Sequence, residues 1–161
     1  MKKKVSLLIP FYNEQDVLPM LFERLSMLIQ NNDNYEWEVM LVNDGSSDAS
    51  LCAVKQMHMH NSCFRYIDLS RNFGKEVAMM AGLDYITGDC VVIMDADLQH
   101  PPHYIKDMVK YWQDGDDIVL TKRVENQATS KFYNFCAASF YKILNFLSDT
   151  KIPAKTPDFR L

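Results

Sequence analysis

Two carboxylates and an amide stand at alternate positions after a short apolar run near the middle of the chain. The run is Val91–Met94, and the polar residues are Asp95, Asp97 and Gln99. In extended backbone, residues two apart project from the same side, so the three side chains could point their oxygens into one space. Such oxygens suit Mg²⁺ or Mn²⁺, which take their remaining ligands from water and substrate phosphate. The spacing predicts a site for a divalent metal and a diphosphate.

The same pattern also has a purely structural interpretation. Asp-x-Asp arises often by chance, and carboxylates that follow a strand commonly cap the next helix. The position within the fold decides between the two interpretations, because open α/β sheets bind ligands just beyond the carboxyl ends of their strands. The rest of the chain must therefore supply such a sheet.

Short apolar runs alternate with helical patterns along the whole chain. The predicted strands are Val5–Ile9, Glu36–Val42, Phe64–Ile67, Val91–Met94 and Ile118–Leu120, and Pro10 is expected to end the first. The predicted helices cover Leu18–Ile29, the stretch from the Asp44–Asp48 turn to about Met57, Val77–Ile86, Pro101–Trp112 and Thr129 to about Leu147. This order predicts an α/β fold with right-handed crossovers, in which a mostly parallel sheet carries helices on both faces.

Composition narrows the class of protein. The chain has 161 residues, 48% hydrophobic and 24% charged, which suits one globular domain. Its net charge of −4 argues against a general nucleic-acid binder, which needs a basic surface. The four cysteines form no Cys-x-x-Cys pair, so neither a zinc knuckle nor a disulfide framework is indicated. No apolar run of about 18 residues occurs, so we expect this chain alone to be soluble.

The polar residues that follow the predicted strands should share one rim of the sheet. They are Pro10, Tyr12, Asn13, Glu14, Asn43, Asp44, Asp48, Ser70, Arg71, Asn72, Lys75, Asp95, Asp97, Gln99, Lys122 and Arg123. A nucleotide diphosphate needs such groups: acceptors for the base, a flat surface for its ring, a metal and cations for the phosphates. The glycine motifs of dinucleotide dehydrogenases and P-loop NTPases are absent, which disfavours both classes.

Each of these residues also has an ordinary structural interpretation. Asp44 could merely form a turn with Gly45 and cap a helix, while Arg71 and Lys75 could be solvated or paired with Glu76. The polar stretch 125–130 could be a mobile lid over the rim or an ordinary connection. What favours a phosphate-ligand site is that the topology predicts one shared rim for all of them.

Several motifs together resemble the inverting family 2 glycosyltransferases. They are Ile9–Glu14, Val42–Asp48, Ser70–Glu76, Met94–Gln99 with Pro101 and Pro102, and Asp158–Leu161. The chain is most similar to the polyprenyl-phosphate branch, which contains bactoprenol-phosphate glucosyltransferases and, more distantly, dolichol-phosphate mannosyltransferases. The resemblance covers essentially the whole chain in order, and the Arg-Asn-Phe-Gly-Lys-Glu, Asp-Ala-Asp-Leu-Gln and Asp-Phe-Arg blocks are its most specific part.

The resemblance implies a GT-A (Rossmann-like) fold, a nucleotide-sugar donor and Mg²⁺ or Mn²⁺. It implies that the base and ribose are surrounded by Pro10, Tyr12, Glu14 and Asp44, and that metal and diphosphate are held by Asp95, Asp97 and Gln99. Arg123 would contact phosphate, and Arg71 and Lys75 would lie beside the donor. Asp158 would be the catalytic carboxylate. The chain departs from the family pattern in having Asn43 and His100 where Asp is common, and Pro157 where Gly is usual.

The implied function is metal-dependent transfer of a hexose, with UDP-glucose favoured, to polyprenyl phosphate. Residues 1–161 would form one GT-A catalytic domain, truncated at its C-terminus, from a protein at the cytoplasmic face of the cell membrane. No nucleic-acid partner is expected, and a homo-oligomer stays open. The alternatives are a family 2 enzyme with a saccharide acceptor, a nucleotidyltransferase on the same sheet, and a nucleotide-sugar-binding module that is inactive in this truncated form.

Overall fold

The computed structural model describes residues 2–99, 102–121 and 161. Strands and helices alternate along these ranges, as the sequence predicts. In chain order they are β1 (Lys4–Phe11), α1 (Leu18–Gln30), β2 (Glu36–Asn43), α2 (Ser50–His60), β3 (Phe64–Asp68), α3 (Lys75–Leu83), β4 (Cys90–Ile93) and α4 (Tyr104–Gln113). Backbone contacts divide the chain into a unit of residues 1–119 with 158–161 and a unit of residues 120–157, and all eight elements belong to the first.

The four strands form one parallel sheet in the order β3-β2-β1-β4. The central strand β1 pairs with both neighbours, and Leu7 lies opposite Val39 of β2 and Val92 of β4. All three side chains are fully buried. Unbroken apolar runs of this kind are typical of parallel strands that are covered on both faces.

Helices cover both faces of the sheet, which confirms the prediction. Val5, Leu7 and Ile9 of β1 face a core formed with α1, α2 and α4, whereas Leu8 faces a smaller core that includes Ala78 of α3. The two cores follow from strand geometry, because alternate side chains project to opposite faces. Among the described residues, no helix is long and apolar enough to cross a membrane.

The expectation that Pro10 ends the first strand is wrong, because β1 continues to Phe11. The carbonyl of Leu8 accepts a hydrogen bond from the amide of Met94, the residue that follows β4 (3.1 Å). Pro10 lies two residues further on and has the same orientation, so its nitrogen faces the space beyond the end of β4. The missing N–H therefore leaves no strand hydrogen bond unmade.

Two other boundaries differ from the prediction. The fourth helix begins at Tyr104 rather than in the proline pair, and the carbonyl of Pro102 accepts a hydrogen bond from Ile105 just outside it. Residues 118–120 do not form a fifth strand; instead Val119 and Leu161 exchange two backbone hydrogen bonds of 3.0 Å. Pro101 and the predicted helix from residue 129 to about 147 lie outside the described residues.

A buried carboxylate joins the strands near the amino ends of the sheet. Glu38 of β2 is only 2% exposed and accepts hydrogen bonds from the Ser6 hydroxyl (2.6 Å) and the Thr87 amide (2.9 Å). The guanidinium of Arg65 forms an ion pair with it. Burial alone would raise the pKa of Glu38, but these hydrogen bonds and the nearby Lys4 lower it. The charge is therefore a structural bond between strands, at the opposite end from the predicted site.

Gly82 allows α3 to lie close to the sheet. A Cβ atom at this position would come within 2.2 Å of the Leu8 side chain and 2.9 Å of the Val42 side chain. Both side chains are fully buried, so they cannot move aside without disturbing the smaller core. The absence of a side chain at residue 82 thus sets the distance between α3 and strands β1 and β2.

We expect Gly82→Ala to destabilise the protein. Overpacking typically costs about 1–3 kcal/mol, whereas alanine gains about 1 kcal/mol of helix propensity over glycine, so the net loss should be about 1 kcal/mol. Urea unfolding measures it, with Lys55→Ala on the exposed face of α2 as the control within about 0.5 kcal/mol of wild type. A Gly82→Ala protein as stable as wild type would show that the helix can shift freely.

Candidate functional site

A cleft of about 360 Å³ opens at the carboxyl ends of β1, β2 and β4. Its lining residues are Pro10, Phe11, Tyr12, Glu14, Asp44, Asn72, Gly74, Lys75, Asp95, Ala96 and Asp97. Most of the predicted site residues are in this set. The predicted Arg71 and Gln99 are not, and Arg123 and Asp158 lie outside the described residues.

The loops that follow β1 and β2 are bonded to each other. Asn13 adopts a positive φ of 56°, and its side-chain oxygen accepts a hydrogen bond from the Ser47 amide (2.8 Å). Its own amide donates to the Ser46 hydroxyl (2.9 Å), and the Glu14 amide donates to the Ser50 hydroxyl (2.8 Å). Asparagine tolerates the left-handed conformation better than most residues. These bonds fix the part of the rim that contains Tyr12 and Glu14.

Asp44 anchors the loop that precedes α3. Its side chain is 4% exposed, and its two oxygens accept hydrogen bonds from the amides of Phe73 (2.8 Å) and Gly74 (2.9 Å). The structural role of Asp44 is thus to hold this loop, rather than the predicted turn with Gly45 and helix cap. A ligand contact stays compatible with that role, because each carboxylate oxygen can accept a second hydrogen bond. Asp44 lines the cleft while holding the loop that delivers Lys75.

Gly45 allows the same loop to pass close to the end of β2. It has a φ of 67°, and a Cβ atom there would lie 2.3 Å from the backbone carbonyl carbon of Arg71. Both the conformation and the contact exclude a larger residue. The Asp-Gly pair therefore acts as one unit, in which the carboxylate binds the loop and the glycine makes room for it.

Asn43 is explained by its hydrogen bonds rather than by a ligand. It is 1% exposed, its amide nitrogen donates to Asp68 (2.7 Å), and its amide oxygen accepts from the Ser46 amide (3.0 Å). An aspartate here could accept from Ser46 but could not donate to Asp68. Asn43 therefore replaces the aspartate that is common in the family because its neighbour Asp68 needs a hydrogen-bond donor.

An ion pair spans the cleft between α3 and the end of β4. The Lys75 ammonium nitrogen lies 2.6 Å from Oδ1 of Asp95, and the two side chains are 33% and 27% exposed. Such an exposed pair is partly screened by water and contributes little to stability. The position of the pair bears on function, because the Lys75 ammonium lies beside the carboxylate that the sequence predicts as a metal ligand.

The cleft is electronegative around Glu14. Burial raises the pKa of Glu14, and the charges of Asp97, Asp48 and Asp95 raise it further. Negative charge therefore accumulates on this side of the cleft even though Lys75 lies beside Asp95. A cation bound there would offset the repulsion between these carboxylates.

The turn after β4 corrects the argument for Gln99. Extended backbone ends at Ile93, and Leu98 has a positive φ of 60°. Strand alternation therefore does not extend to these residues. Asp95 and Asp97 nevertheless both line the cleft, whereas Gln99 is exposed, is not among the lining residues and donates its backbone amide to Oδ1 of Asp97 (3.0 Å). The role of Gln99 as a metal ligand stays a prediction from the resemblance.

The loop before α3 brings different residues to the cleft from those predicted. The Arg71 guanidinium lies over the Phe73 ring, 4.7 Å from its centre, and does not line the cleft. Asn72, which is among the residues predicted for the rim, and Gly74, which is not, line it. They belong to the same Ser70–Glu76 motif, but only the turn at Gly74, with a φ of 97°, decides which residues face inward.

Within the described ranges, no three His, Cys, Asp or Glu residues are arranged to hold a metal ion. Asp95 and Asp97 are the cleft carboxylates that the sequence predicts as metal ligands, and one or two carboxylates are the usual protein share of a metal-diphosphate site. An open parallel α/β sheet with an acidic cleft at the carboxyl ends of its strands has the arrangement in which α/β proteins bind ligands.

The comparison with protein families makes the assignment specific. The model of the family described as Glycosyl transferase family 2 matches residues 6–161, so the chain belongs to that family. It is 41% identical over 158 residues to an uncharacterised glycosyltransferase of Synechocystis and 36% identical over 158 residues to a bactoprenol glucosyl transferase of Shigella phage SfX. Each match covers 98% of this chain but 49% and 52% of those proteins, so the chain spans about half their length.

Solved structures show the same fold at lower identity. A mannosyltransferase of Pyrobaculum calidifontis, in complex with GDP-Man and Mn²⁺, superposes with a TM-score of 0.62 at 23% identity, over 85% of this chain and 39% of that one. Glucosyl-3-phosphoglycerate synthase of Mycobacterium tuberculosis, in complex with UDP, gives a TM-score of 0.63 at 20% identity over 90% and 50%. The fold is therefore GT-A, as the resemblance implies.

Asp44→Asn tests the anchoring of the loop. An amide offers one acceptor where the carboxylate offers two, so the amide of Phe73 or Gly74 loses its partner. We expect a loss of about 1–3 kcal/mol in the free energy of unfolding. Denaturant unfolding measures it, and Asp33→Asn in the exposed turn between α1 and β2 is the control. Equal losses in both variants would contradict an anchoring role.

Glu14→Gln tests the crowding of carboxylates. The pKa of Glu14 is raised above its ordinary value of 4.5, so the folded protein disfavours the charged carboxylate. At a pH above the raised pKa, this charge lowers the free energy of unfolding, and the loss disappears as the pH falls towards 4.5. We expect the variant to melt about 1–2 °C higher than wild type at pH 7.5 and equally at pH 4. Glu23→Gln on α1 is the control. A variant that melts lower than wild type at pH 7.5 would contradict this prediction.

Proposed function

We propose that the protein transfers a hexose from a nucleotide sugar to polyprenyl phosphate with inversion at the anomeric carbon, and that UDP-glucose is the donor. Family membership and the bactoprenol glucosyl transferase of the Shigella phage support the reaction, and the UDP complex of the mycobacterial synthase supports the nucleotide. The observation that carries the proposal is the convergence of Tyr12, Asp44, Lys75, Asp95 and Asp97 on one cleft.

The donor's nucleoside would lie against the β1 and β2 side of the cleft. Tyr12 is 45% exposed and offers a ring for stacking, while Pro10 beside it adds apolar surface. Asp44 keeps acceptor capacity for a base N–H or a ribose hydroxyl after binding the loop amides. The diphosphate would then lie towards Lys75 and Asp95, where the cleft holds charged groups.

The chemistry of the donor set fits a divalent metal. Asp95 and Asp97 would hold Mg²⁺ or Mn²⁺, and the manganese in the Pyrobaculum mannosyltransferase supports this assignment. The raised pKa of Glu14 is in keeping with this assignment, because besides burial it reflects the nearby charges of Asp97, Asp48 and Asp95, which a cation would offset. A bound metal would supply charge stabilisation for the departing diphosphate.

The transfer needs little proton chemistry from the protein. An oxygen of the acceptor phosphate forms the bond to the anomeric carbon as the bond to the diphosphate breaks and the nucleoside diphosphate leaves with the electron pair. A phosphate monoester with a second pKa near ~6 is largely anionic at pH 7, so no base has to activate it. Asp158 would then orient the acceptor, and Arg123 would contact the donor phosphates.

The acceptor would place the reaction at a membrane. Polyprenyl phosphate is a lipid, and the relatives of this chain are about twice its length. We propose that the whole protein works at the cytoplasmic face of the cell membrane, where nucleotide sugars are made. The 161-residue chain would contribute the donor half of the site.

The function is tested by UDP release from UDP-glucose in the presence of MnCl₂ and polyprenyl phosphate. We expect Asp95→Asn and Asp97→Asn each to lower the rate by about 10²–10³-fold, since each removes charge from the diphosphate site. Asp107→Asn on α4 is the control. Calorimetry with UDP-glucose, UDP-N-acetylglucosamine and GDP-mannose identifies the donor.

Two outcomes would change the assignment. Donor binding without UDP release would support a nucleotide-sugar-binding module, and UDP release to a saccharide but not to the lipid would support a different acceptor. Full activity in both aspartate variants would contradict the metal site.

A further inference from the structure

Lys75 is an unexpected residue for the place that it occupies. It is the first residue of α3, where the positive end of the helix dipole disfavours a cation. Helix stability therefore does not explain it, whereas the contact of 2.6 Å with Asp95 does. The two residues come from opposite sides of the cleft, and both line it.

We propose that the Lys75 ammonium occupies the divalent cation's place on Asp95 while the cleft is empty, and moves to the diphosphate when metal and nucleotide bind. This inference rests on the proposed function, since it assumes that Asp95 takes part in metal binding. It assigns Lys75 two opposite effects: it weakens metal binding to the nucleotide-free chain and strengthens nucleotide binding to the metal-loaded chain.

The first effect follows from electrostatics. A carboxylate oxygen in contact with an ammonium at 2.6 Å cannot accept a metal ion without displacing the ammonium, and the two cations then repel each other. The pair is about one-third exposed, so its displacement carries only a modest cost. Lys75 is thus a competitor that a metal ion alone displaces at a modest cost, and that a metal ion with a diphosphate displaces more readily.

The second effect follows from the chemistry of lysine. Its ammonium is a point charge with three donors on a flexible four-carbon stem, so it can turn from Asp95 to a phosphate oxygen without moving the helix. The loop before it is held by the two hydrogen bonds of Asp44. The backbone of Lys75 therefore stays in place while its side chain changes partner.

The charge around Glu14 supports the same picture. Burial and the charges of Asp97, Asp48 and Asp95 raise the pKa of its carboxyl group. One lysine therefore does not neutralise this side of the cleft. A divalent cation can replace the ammonium and still meet excess negative charge, which makes the exchange favourable.

The test begins with Mn²⁺ alone, measured by the electron paramagnetic resonance of free Mn²⁺ in titrations of the 161-residue chain. We expect Lys75→Gln to bind Mn²⁺ roughly three- to tenfold more tightly than wild type, because it removes the competing charge. Lys75→Arg keeps a cation and should bind as wild type does. Lys106→Gln, on the exposed face of α4, is the matched control and should also bind as wild type does.

The second measurement is the affinity for UDP at saturating Mn²⁺. We expect Lys75→Gln to bind UDP about tenfold more weakly, because a charge-assisted hydrogen bond to the diphosphate is lost. The coupling between Mn²⁺ and UDP should fall accordingly. A substitution that merely damaged the cleft would weaken both ligands, so the opposite signs identify the exchange.

The two proposals can fail separately. If Lys75→Gln leaves Mn²⁺ binding unchanged or weakens it, the exchange is overturned even when UDP-glucose is turned over. If Lys75→Gln tightens Mn²⁺ binding but no UDP nucleotide binds to any variant, the competition for Asp95 stands, and the move to the diphosphate is overturned together with the donor assignment. If the wild-type chain and Lys75→Gln both fail to bind Mn²⁺, the exchange is overturned with the metal site.

Discussion

The two hydrogen bonds that the buried carboxylate of Asp44 accepts from the amides of Phe73 and Gly74 hold the site together. They join the end of β2 to the start of α3, and the bare backbone of Gly45 makes the close approach feasible. Parallel strands bring their ends to one edge of the sheet, but they do not position the loops that follow. In this protein the Asp44 side chain positions the loop before α3, and the place of Lys75 depends on it.

The elements that could be predicted from the sequence are those whose conformation is set by burial. The apolar runs of β1 and β2 are buried on both faces, which a parallel sheet covered by helices provides. The ends of both strands differ by at most two residues from those predicted. The convergence of Tyr12, Asp44 and Asp95 followed from topology, because the strands of a parallel sheet have their carboxyl ends at the same edge. Neither inference needs knowledge of any single contact.

The features that could not be predicted depend on one neighbour or one dihedral angle. Pro10 lies inside β1 only because β4 is shorter than its partner. Gln99 does not line the cleft, and Leu98 before it adopts a positive φ, which nothing in the sequence predicts for a leucine. Arg71 lies over Phe73 rather than over the cleft. Each outcome is decided by tertiary structure, which strand periodicity does not encode.

The sheet carries one ion-paired carboxylate at each end, Glu38 at the amino end and Asp95 at the carboxyl end. The two differ in burial, and this difference gives Glu38 a structural role and leaves Asp95 able to bind a ligand. Glu38 is buried and accepts hydrogen bonds from Ser6 and Thr87 besides its ion pair with Arg65, so any change would leave a charge without solvent or partner. Asp95 meets Lys75 across an open cleft, where water or another cation can replace the ammonium. A carboxylate enclosed by donors can only hold strands together, whereas one that faces solvent can exchange its partner. Binding chemistry therefore belongs to the carboxyl end of this sheet, because the carboxylate of Asp95 lines a cleft there and can exchange its partner.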